Sequence, residues 1–290
     1  MSANQNRFRG IVTPLVTPVS ATEELDPDSL IHLVDFQLSS GVHGLWVMGT
    51  TGEFAAFDED ERAEAVRVVV KRAAGRVPVI ANISDASTRL VLRHLHRAES
   101  AGADAVAVTP PYYFPHSQAE LLQHYRAVRS AAQLPVFIYN IPQTVRVSLA
   151  LQTAVTLARE GAVAGIKDSQ NDLEWFRQLT LEAVREGWPF SAFAGTRHLI
   201  DAAVLAGAAG AIPSIANAFP ELCVEVYERS VAGDFRCANE GQTRIVDLET
   251  QARRAGGAGS KNAATISFLK QCLHERGIIA TPAMTGPLLA

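Results

Sequence analysis

Eight short apolar segments, each followed by a longer stretch of helical periodicity, recur along the chain and constrain its fold more than any other feature. They are rich in Val and Ile and are bounded by Gly, Pro, Asn or Thr, as strands are. The segments are GIVTPLV from Gly10, GLWVMG from Gly44, VPVIAN from Val77, DAVAVTP from Asp104, LPVFIYN from Leu134, AVAGIK from Ala162, FSAFAG from Phe190 and AGAIPS from Ala209. Their continuous apolarity is typical of strands buried on both faces, as in parallel sheets covered by helices.

The stretches between these segments carry helix start signals. Asp26 precedes Pro27, which places a capping acceptor before a proline at the first helical position, and Asp58 followed by Glu61 has the form of a capping box. Eight strand and helix units predict an α/β fold, the (β/α)8 or TIM barrel. The competing arrangement is an open doubly wound sheet, but a Gly-rich dinucleotide turn is expected after its first strand, and GIVTPLV has none.

Helical segments continue after the last strand, through Phe219–Val231, Asp234–Arg254 and Lys261–Arg276. The first of them completes the barrel. We therefore predict a barrel over residues 1–232 and a C-terminal helical extension over residues 233–290 that packs on it. The stretch RRAGGAGS before Lys261 indicates a turn or hinge between the last two helices.

Composition excludes several function classes. The net charge is −4 and there is no basic block, so nucleic acid and anionic membrane surfaces are poor candidate partners. The first residues lack the apolar region of a secretory signal and no window approaches the roughly 18 apolar residues of a membrane span, which leads us to expect a cytoplasmic protein. Cys223, Cys237 and Cys272 lack the spacing of a disulfide framework or of a zinc site.

Polar residues cluster where the predicted strands end, and the carboxyl ends of barrel strands share one rim. Lys167 ends a buried strand, and burial in a partly desolvated pocket favours the neutral amine, which is a nucleophile towards carbonyls. Extension of Lys167 to solvent, or a pair with Asp168, is the alternative. At the same rim, the phenol of Tyr139 could shuttle protons, and hydroxyls and amides at Thr50 and Thr51 could hold a carboxylate.

We assign the glycines of that turn, Gly49 and Gly52, to substrate binding, because glycine permits close backbone approach. Four motifs in this order, GTTGE from Gly49, PPYY from Pro110, YNIP from Tyr139 and GIKDS from Gly165, resemble the dihydrodipicolinate synthase and N-acetylneuraminate lyase family of class I, Schiff-base-forming pyruvate-dependent aldolases. The resemblance extends to the opening IVTPLVTP and covers most of the chain.

The resemblance implies roles for individual residues. Lys167 would form an imine with C2 of pyruvate or another 2-oxo acid, and Tyr139 would be the general acid and base, with Thr50 in its proton relay. Thr51 and neighbouring amides would hold the carboxylate. Tyr113 would reach the relay from a neighbouring subunit of a homotetramer built as a dimer of dimers, and no cofactor would be needed.

Two branches of the family are a poor match in their specificity residues. The synthase branch places an arginine two positions beyond the proline of YNxP, where this chain has Thr144 and carries Arg146 two positions later. The sialic acid lyase branch has acidic residues after the seventh strand, where this chain has Gly195, Thr196 and Arg197. A neutral, hydroxyl-bearing pocket remains, which suits a 2-keto-3-deoxygluconate-type sugar acid. Its residues are Gln143, Thr144, Thr196 and Ser214.

Other functions remain open from the sequence. The same imine can eliminate water from a 3-deoxy-2-oxo sugar acid, so a dehydratase is an alternative to an aldolase. A dihydrodipicolinate synthase with a relocated arginine, Arg146, is another. A pseudoenzyme that binds 2-oxo acids without turnover is the alternative from outside the enzymes.

Overall fold

Eight parallel strands close into a barrel in chain order in the computed structural model, which describes residues 7–255 and 259–289. The predicted (β/α)8 fold is therefore confirmed. The strands are β1 (Gly10–Pro14), β2 (Gly44–Val47), β3 (Val79–Asn82), β4 (Ala105–Val108), β5 (Val136–Asn140), β6 (Gly165–Asp168), β7 (Ser191–Ala194) and β8 (Gly210–Ala211).

Helices cover the outside of the barrel and continue beyond it. They are α1 (Pro27–Ser39), α2 (Glu59–Ala73), α3 (Thr88–Ser100), α4 (Gln118–Ala131), the single turn α5 (Pro142–Val145), α6 (Leu151–Arg159), α7 (Leu173–Glu186), α8 (Ile200–Leu205), α9 (Pro220–Val231), α10 (Phe235–Ala255) and α11 (Lys261–Glu275). Both predicted caps are confirmed, since Asp26 accepts from the Ser29 amide and Asp58 forms a capping box with Glu61. The predicted turn before α11 lies partly outside the described residues.

The register between β5 and β6 sets the direction of the functional side chains. Tyr139 pairs with Lys167 and Asn140 with Asp168. Because side chains alternate between the two faces of a strand, Tyr139 and Lys167 both point into the barrel, and Asn140 and Asp168 both point to the helical layer. Below them, Phe137 fills the interior beside Gly165, where any side chain would collide with its ring.

The helical extension is tied to the barrel by buried polar contacts. Gln242 of α10 accepts from the Ile200 amide at 2.9 Å and donates to the Arg197 carbonyl at 2.8 Å, so it holds the loop before α8. Lys270 of α11 forms a buried ion pair with Glu53 at 2.6 Å. The extension thus contacts the loops at the carboxyl ends of the strands, while the boundary at residue 232 stays a prediction. Within residues 7–255 and 259–289, no helix has the length and apolarity to cross a membrane.

Candidate active site

A cavity of about 180 Å³ opens at the carboxyl ends of the strands, where barrel chemistry is expected. Its volume lies below the roughly 300–1,000 Å³ of sites for drug-sized ligands, which suits a small substrate. It brings together nine of the predicted site residues: Thr50, Thr51, Tyr139, Gln143, Thr144, Lys167, Gly195, Thr196 and Ser214. The predicted gathering at one rim is therefore what the structure shows for these nine.

Lys167 is buried at the base of this cavity, with 3% of its surface exposed. Its Nζ lies 4.2 Å from the centre of the Tyr139 ring and 4.9 Å from that of Trp46. Burial lowers the pKa of Lys167 to about 7, because an ammonium group loses its hydration there and no carboxylate among the described side chains compensates for that loss. The lysine neither extends to solvent nor pairs with Asp168, whose side chain lies on the other face of β6.

Tyr139 and Thr50 form a hydrogen-bonded pair next to the lysine. The phenol donates to Thr50 Oγ1 at 3.0 Å, and its ring packs edge-on against Trp46 with centroids 5.4 Å apart. Burial raises the pKa of Tyr139 to about 12, although the hydrogen bond to Thr50 opposes the shift. The phenol is therefore protonated at neutral pH and is placed to give a proton through Thr50.

Asp168 follows the lysine but belongs to a different environment. Its Oδ1 accepts from Asn140 Nδ2 at 2.6 Å, and burial raises the pKa of Asp168 to about 7 despite this hydrogen bond. The carboxyl group lies among side chains of the helical layer, at a small void next to Leu173 and Phe176. It supports the end of β6 without facing the cavity.

The turn after β2 presents the two threonines to the cavity. Gly49 and Gly52 do not line the cavity but fit the turn into tight space: a Cβ on Gly49 would lie 2.9 Å from Trp46 Nε1, and one on Gly52 would lie 2.9 Å from the Leu15 carbonyl oxygen. The turn is closed by a bond from the Glu53 amide to the Thr50 carbonyl at 3.1 Å. Its glycines therefore act through packing, and Thr51 remains half-buried at the cavity wall.

Tyr113 lies outside the cavity. It is 86% exposed and adopts a φ of 86°, a left-handed conformation that is uncommon for a residue with a side chain. It lines a separate, largely apolar groove of about 730 Å³ that also includes Thr50, Phe114 and Arg146. Tyr113 therefore lies on the surface of the chain. Arg146 lies on this groove and does not line the lysine cavity.

A basic side of the cavity was not predicted from the sequence. Arg197 and His198 follow β7, Lys261 begins α11, and all three line the same space as Lys167. The expectation of a wholly neutral pocket was thus incomplete. Of these three residues, only Arg197 could have been assigned to the cavity from the sequence, because it follows the end of a predicted strand. Histidine is a common metal ligand, as His198 could be. However, the described part of the chain contains no group of three or more His, Cys, Asp or Glu side chains suited to a metal ion.

A family model described as the dihydrodipicolinate synthetase family matches residues 7–290. The chain belongs to this family. A DapA-like lyase of Halobacterium salinarum is 36% identical over 97% of this chain and 88% of its own length. The 4-hydroxy-tetrahydrodipicolinate synthase of Phenylobacterium zucineum is 35% identical over 95% of this chain and 92% of its own length. Membership of the dihydrodipicolinate synthetase family and these relatives identify the protein as a lyase.

Solved structures of the dihydrodipicolinate synthetase family agree with the fold. YagE, a prophage protein of this family from E. coli K12, was solved in complex with pyruvate. It matches the present structure with a TM-score of 0.89 at 25% identity, over 97% of this chain and 92% of that one. The predicted resemblance to the family is confirmed.

Proposed function

We propose that this lyase acts through an imine between Lys167 and C2 of a 2-oxo acid. The observation that carries the proposal is the placement of Lys167: its amine is buried at the base of the cavity with a pKa of about 7, beside the hydrogen-bonded pair of Tyr139 and Thr50. At pH 7 about half of such lysines carry a neutral amine, against roughly one in three thousand at the ordinary pKa of 10.5. Burial thus supplies the nucleophile.

The neighbouring groups fit the steps of this reaction. Once the amine has attacked and water has left, the protonated imine withdraws electrons from C3. Breaking the C3–C4 bond then leaves an enamine, while the C4 hydroxyl proton must be accepted as the aldehyde forms. We propose that Tyr139 and Thr50 relay this proton and protonate C3 afterwards, and the hydrogen bond between them beside Lys167 supports this. Thr51 lines the same cavity, which supports our proposal that it binds the carboxylate.

For the substrate, we propose pyruvate as the 2-oxo acid unit of a 2-keto-3-deoxy sugar acid, cleaved or formed by aldol chemistry. The pyruvate complex of the related YagE supports the first part. The small cavity and its hydroxyl and amide groups, from Gln143, Thr144, Thr196 and Ser214, support the second. A dehydratase that uses the same imine is the second candidate. The synthase with a relocated Arg146 is less favoured, because that arginine does not line the cavity.

Assembly belongs to the same proposal. The exposed Tyr113 lies on an apolar groove that contains Thr50, which supports a role for this tyrosine at a neighbouring subunit's site in a homotetramer. Large exposed apolar surfaces often mark sites of protein association.

The test is the intact mass of the protein after incubation with pyruvate and borohydride. The chain has four lysines, Lys71, Lys167, Lys261 and Lys270, so the attachment site can be assigned by substitution. We expect a reduced adduct on the wild type and on Lys71→Ala, and none on Lys167→Ala, which should also lose turnover.

An adduct retained in Lys167→Ala would refute the assignment of the nucleophile. If pyruvate gives no adduct, the trap is repeated with a 3-deoxy-2-oxo sugar acid, and an adduct only there would support the dehydratase. Tight binding of both acids without any adduct would instead support a 2-oxo-acid-binding protein.

A further inference from the structure

The basic side of the cavity is formed by Arg197, His198 and Lys261. Together with Glu249, which pairs with the first two but does not line the cavity, they form what we name the outer cluster. Arg197 and Lys261 line the same cavity as Lys167. Lys167 lies at its buried base, whereas Lys261 is exposed, so the cavity leads from the reacting amine to the outer cluster. A substrate held at Lys167 by its 2-oxo group therefore extends its far end towards this cluster.

Arg197 is fixed in place by its contacts. Its guanidinium forms an ion pair with Glu249 of α10, whose side chain is only 3% exposed, and donates to Ser214 Oγ at 3.2 Å. Its carbonyl accepts from Gln242 Nε2, also of α10. Glu249 is in addition paired with His198. The arginine is thus presented to the cavity by the C-terminal extension, in a fixed orientation.

Lys261 adds a charge that is not compensated in the same way. Among the side chains that the structure describes, residues 7–251 and 259–289, its ammonium forms no ion pair, although it lines the cavity. It is the first residue of α11, and a helix N-terminus contributes further positive potential. Asn262, the next residue, lines the same wall with an amide that can donate. The outer cluster therefore offers an anion the ammonium of Lys261 on the same cavity wall as the guanidinium of Arg197.

We propose that the outer cluster binds a carboxylate at the far end of the substrate, so that the substrate is a 2-oxo diacid. This deepens the proposed function and rests on it: the 2-oxo end reacts with Lys167, the middle hydroxyls meet Thr196 and Ser214, and the terminal carboxylate meets Lys261 and Arg197. The exposed ammonium of Lys261 carries one positive charge, which matches a monoanion. A phosphate ester, with a charge of about −1.5 to −2 and a larger volume, fits the small cavity less well.

The experiment compares two six-carbon acids that differ only at the far end, 2-oxoadipate with a carboxylate and 2-oxohexanoate with a methyl group. Their dissociation constants are measured by calorimetry on the wild type, on Lys261→Gln and on Lys71→Gln. Lys71→Gln is the matched control, because this lysine is exposed on α2 and does not line the cavity. The same titrations on Lys167→Ala measure the affinity for each acid in the absence of imine formation.

We expect the wild type to prefer 2-oxoadipate by about 10-fold, the effect of one partly exposed charge-assisted contact. Lys261→Gln should remove most of this preference by weakening 2-oxoadipate alone, and Lys71→Gln should retain it. Equal affinity of the wild type for the two acids, or an undiminished preference in Lys261→Gln, would overturn the proposal. Borohydride trapping on the same samples reports separately on Lys167, so a failed imine and a failed carboxylate site give different results.

Discussion

Replacing Lys167 by methionine should stabilise the protein at neutral pH while abolishing imine formation. Lys167 is buried among aromatic rings and has no carboxylate partner in the part of the chain that the structure describes. Its charged form is better solvated by water, so burial of the amine destabilises the folded protein. Methionine has a similar length, has no charge and tolerates irregular pockets. The variant removes the nucleophile and this cost together.

The pKa of Lys167 gives the size of the effect. Its pKa is about 7 in the folded protein and 10.5 in the unfolded chain, and each pH unit between the two is worth roughly 1.4 kcal/mol. The unfolded chain binds the extra proton between these values, so the stability of the wild type increases with pH across that interval. The charge penalty is therefore on the order of 4 kcal/mol at pH 7 and below, and vanishes above about pH 10.5.

Chemical denaturation of the wild type and of Lys167→Met at pH 7 and at pH 9 measures this difference. The methionine variant should be the more stable at pH 7, by up to about 4 kcal/mol, and its advantage should fall by roughly half or more at pH 9. The pH dependence separates charge from packing, because a packing change would be the same at both values. An advantage of the variant that does not change with pH, or none at pH 7, would refute a buried lysine with a depressed pKa.

Two further predictions concern the ion pair and the tyrosine. Lys270→Met should lower the free energy of unfolding by about 3–5 kcal/mol, measured by chemical denaturation, because it leaves the Glu53 carboxylate buried without a countercharge. Adding Glu53→Gln should restore most of this stability. A double variant as unstable as the single one would contradict this account. Mixing Tyr113→Phe subunits with Lys167→Ala subunits should restore activity that neither variant shows alone. In a mixed pair, one site contains Lys167 together with an intact Tyr113 from the neighbouring subunit. Activity no higher than that of the separate variants would rule out action between subunits.

Local signals explain why the barrel and the base of the cavity could be predicted. Buried parallel strands are continuous apolar runs, and the carboxyl ends of all eight meet at one rim, so residues such as Tyr139 and Lys167 could be placed together without coordinates. Helix starts such as Asp58 with Glu61 depend on neighbouring residues only, and the sequence placed them correctly.

The outer wall could not be predicted because it depends on packing between distant segments. Nothing near Lys261 in the sequence shows that α11 begins at the cavity, and nothing near Glu249 shows that it pairs with Arg197. The pocket was therefore expected to be neutral. Likewise, the glycines of the GTTGE turn were assigned to substrate binding, whereas the structure shows Gly49 and Gly52 in tight contact with neighbouring atoms outside the cavity wall.

The alternation of side chains along β6 also limits how this protein can change during evolution. Lys167 and Asp168 are adjacent, but one points into the barrel and the other into the helical layer. Insertion or deletion of one residue within β6 would exchange their faces, putting a carboxyl group in place of the amine. The same event in the loop after Asp168 would leave both in position. Lineages of this enzyme can therefore vary in the length of the loop after Asp168, whereas a change of one residue in the length of β6 would turn Lys167 away from the barrel interior.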